Sequence, residues 1–299
     1  MMLVMGVTSL VVLWVLVRVI QRRVFTLDNK VVVITGAGNG IGRSLARKIF
    51  TEADNVTVAL LDIDMDALEK LQTELLQSKH DKEDKQVLMY ESPKHIEVLV
   101  NNAVLTPEQI QKTFAVNTLA HFWTLKTALS SMKKAPEALL VTVSSVMGMM
   151  SSAGLTDYCA SKAAVNAFHE AVRLELWHDN VKSIRTLLIC PAAVDTGMFA
   201  GALAANDWAL KISRFCIPML SESEVADTIY RAMRNGDEEV LVSCFSGWRR
   251  IVLSWAPSIS RLLPVRLYDV VVRLGGGLNG MDTFVGKNGG RGSEKEKAN

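Results

Sequence analysis

The sequence predicts an α/β fold, a doubly wound parallel sheet with helices on both faces, and three observations predict it. Short β-branched runs alternate with stretches of helical spacing from residue 28 to 243. Glycines and polar residues gather just after the carboxyl ends of those runs, the edge where open parallel sheets bind ligands. The 299 residues are 49% hydrophobic and 21% charged, enough to bury a full core and too apolar for disorder. One domain with appendages at both ends fits that length.

The elements follow in order. "KVVVITG" is a strand ending in Gly, "GIGRSLARKIF" has helical spacing, and "VTVALLD" is a strand again, so the two strands run parallel. The helix "MDALEKLQTELLQ" leads to two short runs, "QVLMY" and "IEVLVNN". Thr106, Pro107 and Gln109 then supply an N-cap, an N1 proline and a capping-box partner for a helix through "IQKTFAVNTLAHFWTLKTALSSM". Strand "ALLVTVSS", a helix from about Asp157 to His178 and strand "SIRTLLIC" continue the alternation. A helix near "ESEVADTIYRAMR" and strand "EEVLVS" complete it, with no solenoid repeat.

Residues 1–23 form the first appendage, apolar up to Arg18 and followed by Arg22 and Arg23. As a helix, residues 2–20 reach roughly 28 Å, enough for a slightly thin bilayer if Arg18 snorkels. A cleaved signal peptide would carry a basic start and a small-residue cleavage site; neither is present, so the expectation is an uncleaved membrane anchor. Positive charges after the span place the rest of the chain in the cytosol. At the other end, residues 244–274 mix Trp248, Trp255 and many aliphatics with five arginines and a single acid, Asp269. They fit an amphipathic segment on an anionic membrane surface, and equally a lid or a packing helix pair. Pro257 and Pro264 interrupt the segment either way. Residues 275–299 are expected to be a Gly-rich disordered tail.

Composition removes several functions. With 33 Lys+Arg against 31 Asp+Glu there is no concentrated basic surface of the kind a nucleic-acid partner requires. Cys159, Cys190, Cys216 and Cys244 are scattered, with no zinc spacing, so no metal site is expected and a reducing compartment is the simpler reading.

Chemistry gathers after the strands. In "TGAGNGIG", Gly36, Gly40 and Gly42 allow a tight turn that brings backbone N–H groups and a helix N-terminus against a pyrophosphate, although a strand-to-helix turn can need glycine without any nucleotide. Asp62, about 20 residues further at a strand end, suits ribose hydroxyls and would repel a 2′-phosphate, which favours NAD over NADP. Asp64 and Asp66 fit the start of the next helix, and Arg43 a solvated helix face. Tyr158 and Lys162, four apart, share a helix face. Either they are an accidental pair, or the ammonium lowers the phenol's pKa from about 10 towards a range useful for proton transfer. Ser145, thirteen residues earlier at a strand end, could hold a developing alkoxide or carbonyl oxygen.

Together these residues resemble the short-chain dehydrogenase/reductase family. The likeness is carried by the loop from Thr35 to Gly42, N-N-A at 101–103, Asn117, Ser145, and Y-x-x-x-K at Tyr158 and Lys162, over about residues 28 to 243. It implies a Rossmann-type domain with Tyr158 as acid/base and Lys162 lowering its pKa and holding the nicotinamide ribose. By the same likeness Ser145 orients the substrate oxygen and Asn117 keeps a water in the proton relay. Cofactor contacts are implied at Gly36, Asn39, Gly40, Ile41, Gly42, Asp62, Asn101, Ala103, Tyr158, Lys162, Pro191, Val194 and Thr196. The anchor, "NTLAHFWTLK", "VDTGMF" and "MDTFVG" look closest to the membrane-bound retinol and 17-beta-hydroxysteroid dehydrogenase branch. That likeness implies a lipophilic alcohol or carbonyl substrate, a site on the endoplasmic reticulum or a lipid droplet, and a homodimer built from the Asn117 and Tyr158 helices.

One stretch departs from the family, which places a helix between its third and fourth strands. Counting "QVLMY" and "IEVLV" as whole strands leaves Glu91 to His95 to span roughly 22 Å with a reach of roughly 20 Å. The expectation is that the crossover helix is missing, the usual connection cannot form, and "QVLMY" leaves the sheet or the chain is a shortened form. Val104 also replaces the glycine of N-N-A-G, and "ESPK" replaces the acid after strand three. The shortening of this region predicts a thinned adenine site and weak NAD binding. Two functions stay open: a membrane-anchored NAD-dependent dehydrogenase of lipid alcohols, and a catalytically impaired relative serving binding or assembly at a membrane.

Overall fold

The computed structural model describes residues 25–78, 85–89, 95–102, 110–195, 219–242 and 257–278. Seven parallel strands form one sheet in the order β3-β2-β1-β4-β5-β6-β7. They are β1 (Val31–Thr35), β2 (Thr57–Leu61), β3 (Gln86–Met89), β4 (Val98–Asn101), β5 (Ala138–Val143), β6 (Ile184–Pro191) and β7 (Glu239–Val242). The central strands are β-branched and buried on both faces, as a doubly covered parallel sheet requires.

One face is covered by α1 (Gly40–Glu52), α2 (Met65–Gln77) and α6 (Glu222–Asn235). Leu45, Ile49, Leu68 and Ile229 of these helices meet Val32, Ile34, Val58 and Val141 of the sheet in one core cluster. The other face carries α4 (Ala120–Lys134) and α5 (Thr156–His178), whose Leu125, Met132 and Phe168 pack with Val33, Ala59, Leu99 and Leu140. Local chemistry sets the helix ends. Asp64 caps α2 by accepting from the Ala67 N–H at 3.1 Å, the role expected of it. Ser221 and Glu224 close a capping box on α6, which stops at Gly236 with φ 72°.

Of the two alternatives for this stretch, the one in which "QVLMY" leaves the sheet is overturned, and so is the expectation that the two strands could not be linked within it. β3 pairs along its whole length with β2, from Thr57↔Gln86 to Leu60↔Met89. Two quantities in the distance argument change. Strands β3 and β4 are shorter than the apolar runs, so residues 90–97 link them rather than 91–95. Registers through β2 and β1 put Met89 level with Val100, only two residues beyond Val98. The gap is then about 14 Å across and about 7 Å along, roughly 16 Å in all, against a reach of roughly 30 Å. Residues 90–94 of that link lie outside the described residues. Eight residues remain too few for the usual helical crossover, and on that side Leu61 and Leu88 are only partly buried.

Three boundaries also move. The domain begins by Phe25, fully buried, whose N–H bonds Arg234 O at 3.0 Å. Gly275 to Leu278 are ordered and do not belong to a disordered tail, because Gly277 O accepts from Ala153 N at 2.7 Å and Ser152 Oγ at 2.9 Å. The expected long helix after residue 110 is interrupted: α3 (Ile110–Phe114) passes into a π-helical turn, Ala115–Leu119, before α4. Its expected cap, Thr106 to Gln109, lies outside the described residues, as do the expected anchor 1–23, residues 244–256 and residues 279–299. Among the described residues, no helix is long and apolar enough to cross a membrane. Pro264 is the N-cap of α7 (Val265–Leu274).

Candidate active site

The glycine loop turns from β1 into α1 with Gly36 at φ 66° and Gly40 at φ 58°, conformations that side chains with a Cβ rarely adopt. Asn39 is the N-cap residue of α1 but makes no side-chain cap, and no acid occupies the first turn, so the helix end is electropositive. A Cβ on Gly42 would stand 2.1 Å from Gly36 O and 2.6 Å from Asn102 Nδ2. Only glycine permits that closeness. Ile41 is half-buried beside it and packs against the first core cluster.

Asp62 ends β2 against this loop. Its Oδ2 accepts from Gly38 N at 2.8 Å and its Oδ1 from Asp64 N at 3.0 Å, so two backbone donors fix the carboxylate. Gly38 was not singled out in the sequence, yet a Cβ there would lie 3.0 Å from Asp62 Oδ2. The "GAG" spacing was the available signal. Asn102, taken only as part of N-N-A, bonds Thr35 O and Gly36 O at 3.2 Å each and ties β4 to the loop. Arg43 and Arg47 turn to Glu74 at 3.1 and 2.6 Å and hold its carboxyl below the usual range, chiefly through Arg47.

The second half of the site rests on α5. Tyr158 is 5% exposed and Lys162 is fully buried, its Nζ 5.9 Å from the Tyr158 ring centroid and donating to Val143 O at 3.2 Å. Ser145 starts a single 3-10 turn, Val146–Gly148, and its Oγ accepts from Met147 N at 3.1 Å. Ser145 is the polar neighbour that favours the ionised form of the Tyr158 hydroxyl. Gly148, unmarked in the sequence, lets this turn press on α5, since a Cβ would lie 2.7 Å from Lys162 O.

Electrostatics departs from the expectation for the pair. Burial pushes the Tyr158 phenol up to about 12 despite Ser145, and burial pulls Lys162 down to about 8. Both shifts disfavour the charged form, so desolvation outweighs the mutual tuning expected from the spacing.

Asn117 is fully buried at the π-helical turn and donates to Ser161 Oγ at 3.1 Å, while Ser161 Oγ donates to Tyr158 O at 2.7 Å. A π-turn of this kind often marks a functional position. Behind it, His121 and His169 are neutral, pulled by burial to about 3 and about 4. Asn101 ends β4 with its Oδ1 accepting from Thr124 Oγ1 at 2.7 Å. Pro191 ends β6, and Val194 bridges Leu220. Ala103 and Thr196 lie outside the described residues. Among the described residues, no group of three His, Cys, Asp or Glu could hold a metal.

The carboxyl edge therefore carries a glycine turn at an electropositive helix end, a carboxylate fixed by two backbone donors, and the Tyr158 and Ser145 hydroxyls. Several known proteins are similar. Retinol dehydrogenase 10 of Rattus norvegicus is 33% identical over 221 residues, 59% of this chain and 65% of the relative, so the chain spans just under two thirds of that protein. Estradiol 17-beta-dehydrogenase 11 of Homo sapiens is 30% identical over 281 residues, 85% of this chain and 86% of the relative. A short chain dehydrogenase/reductase of Burkholderia phymatum, solved in complex with NAD, shares the fold at a TM-score of 0.60 and 23% identity, over 73% of this chain and 90% of that one. Residues 30–207 match the short chain dehydrogenase family, and on that match, with the sheet and site above, the chain belongs to it.

Proposed function

We propose that this chain is a membrane-anchored, NAD-dependent dehydrogenase that moves a hydride between the cofactor and a lipophilic alcohol or carbonyl of retinoid or steroid type. The observation that carries the reading is the meeting of buried Tyr158, Lys162 and Ser145 at the same sheet edge as the glycine cradle and Asp62.

The chain's own residues divide the work. Gly36, Gly40 and Gly42 with the N-terminus of α1 would hold the pyrophosphate, and Asp62 the adenosine ribose. Its carboxylate disfavours a 2′-phosphate, which supports NAD over NADP. The nicotinamide, when bound, supplies the hydride acceptor or donor. Tyr158 takes the proton from the substrate hydroxyl in oxidation and returns it in reduction. Ser145 positions the reacting oxygen, and Lys162 would hold the nicotinamide ribose and stabilise the phenolate. Asn117 would keep a water in the proton relay.

Lipid substrates and a membrane location are supported by the apolar run before Arg18 and by relatives named for retinol and estradiol. The endoplasmic reticulum or a lipid droplet, with the domain facing the cytosol, fits the charge order around that run.

The test is turnover of a panel of lipid alcohols by membranes holding wild type or Tyr158→Phe, with NAD and NADP compared. The variant is expected to lose at least about a hundredfold in rate with an unchanged circular dichroism spectrum. Equal rates would remove the catalytic role. A wild type inert on every alcohol, yet folded, would favour a catalytically impaired relative, the reading that the short link between β3 and β4 supports.

A further inference from the structure

Nine of the eighteen exposed large apolar side chains among the described residues fall between Ile259 and Leu278. A soluble surface scatters such residues singly; a dense cluster marks a contact. In α7 the exposed apolar residues are Leu267, Val270, Val271 and Leu274, at the i, i+3, i+4, i+7 spacing that ordinarily faces a core. Here the body takes the other side of the helix, through buried Val272 and half-buried Tyr268. Leu262, 83% exposed, adds to the apolar surface in the turn before α7.

The segment is firmly seated despite its exposure. Arg261 Nε donates to Met149 O at 2.8 Å, and Tyr268 OH accepts from Ser151 N at 3.2 Å. Gly277 O accepts from Ala153 N and Ser152 Oγ. All four bonds land on the loop that follows Ser145, at the carboxyl edge of the sheet. The chain enters the domain at the opposite edge, where Phe25 bonds Arg234 O just ahead of β7. An anchor preceding Phe25 would leave the catalytic edge without a hold of its own.

We infer that the α7 segment is a second membrane contact, an apolar stripe rimmed by arginines that seats the Ser145 edge of the domain on an anionic lipid surface. Charge selects the occupant. Arg261, Arg266 and Arg273 stand around the stripe against one acid, Asp269. That rim suits anionic headgroups while the stripe enters the acyl boundary. Two copies meeting about a twofold axis would bring like-charged rims together, which disfavours self-association here. The inference goes beyond the proposed activity and its readout is not turnover, so an inactive protein would leave it testable.

The experiment uses the full chain with Cys216 and Cys244 changed to Ser and an environment-sensitive fluorophore on Val270→Cys, or on Lys70→Cys as a control on α2. Each is reconstituted in phosphatidylcholine vesicles with and without phosphatidylserine, plus a nitroxide-bearing lipid quencher. The Val270 probe is expected to shift to the blue and lose more than about half its emission to the quencher in phosphatidylserine vesicles, with the Lys70 probe unaffected. Arg266→Glu, which removes one positive charge and adds one negative charge, should reduce that response at least about fivefold, the effect of losing a single basic residue near an anionic surface. Water-like emission at Val270 in both vesicles would overturn the inference. So would a blue shift that ignores the lipid quencher and grows with protein concentration, because a second copy would then be the occupant. An equal response with and without phosphatidylserine would overturn the anionic preference.

Discussion

Lys162 shows how far a side chain's chemistry depends on its surroundings. The Y-x-x-x-K spacing identifies the pair but says nothing of its burial, and burial is what moves Tyr158 to about 12 and Lys162 to about 8. The folded pKa of Lys162 lies below its unfolded value, so between about pH 8 and 10.5 the unfolded chain binds more protons and stability rises with pH. Below that window the full cost of the buried ammonium is present, on the order of 3 kcal/mol. Lys162→Met is therefore expected to abolish turnover and yet stabilise the fold at pH 7. The gain should be about 1–3 kcal/mol, reduced by the lost bond to Val143 O, and the rise towards pH 10 should disappear. Urea unfolding at pH 7 and pH 10 measures both; a variant less stable than wild type at pH 7 would mean that the ammonium is held by more than it costs.

Among elements, the turn from β1 into α1 and the link from β3 to β4 behave differently as sequence signals. The glycine turn was legible because each required conformation has one cheap residue, and Gly36, Gly40 and Gly42 meet those demands. Gly38 was not, since its need arises from Asp62, twenty-four residues away. Gly42→Ala is expected to cost about 1–3 kcal/mol in a thermal melt and to weaken NADH binding at least about tenfold. Gly38→Ala should weaken binding with a smaller loss of stability, because a carboxylate can yield where a backbone carbonyl cannot. A fluorescence titration with NADH is expected to measure both losses and to give a wild-type dissociation constant weaker than micromolar. The link from β3 to β4 offers less chain over the adenine end than a full crossover would. The misreading of that link arose from equating apolar runs with strands. Ile96 is apolar enough to continue its run, but β4 starts only at Val98.

At the scale of the whole molecule, a second apolar surface lies apart from α7. Phe122 is 48% and Trp123 62% exposed on α4. Phe122 stacks on Phe168 at 4.6 Å, which joins α4 to α5. This surface suits the homodimer that the family likeness implies, since aromatic side chains left in water gain most from a partner. Trp123→Glu is expected to convert a detergent-solubilised dimer to monomer in sedimentation velocity, with secondary structure intact; a monomeric wild type would remove the proposal.

By itself the sequence determined the alternation of strands and helices, the sheet edge at which glycines and polar residues gather, and the candidate positions Asp62, Ser145, Tyr158 and Lys162. Those properties are written in local spacing and residue type, which persist whatever the rest of the chain does. Tertiary structure alone decided that β3 stays in the sheet, that Asp62 leans on Gly38, that burial sets the charge preference of Tyr158 and Lys162, and that α7 turns its apolar side away from the domain. Each of these depends on which distant surfaces meet, and on how much water their meeting excludes.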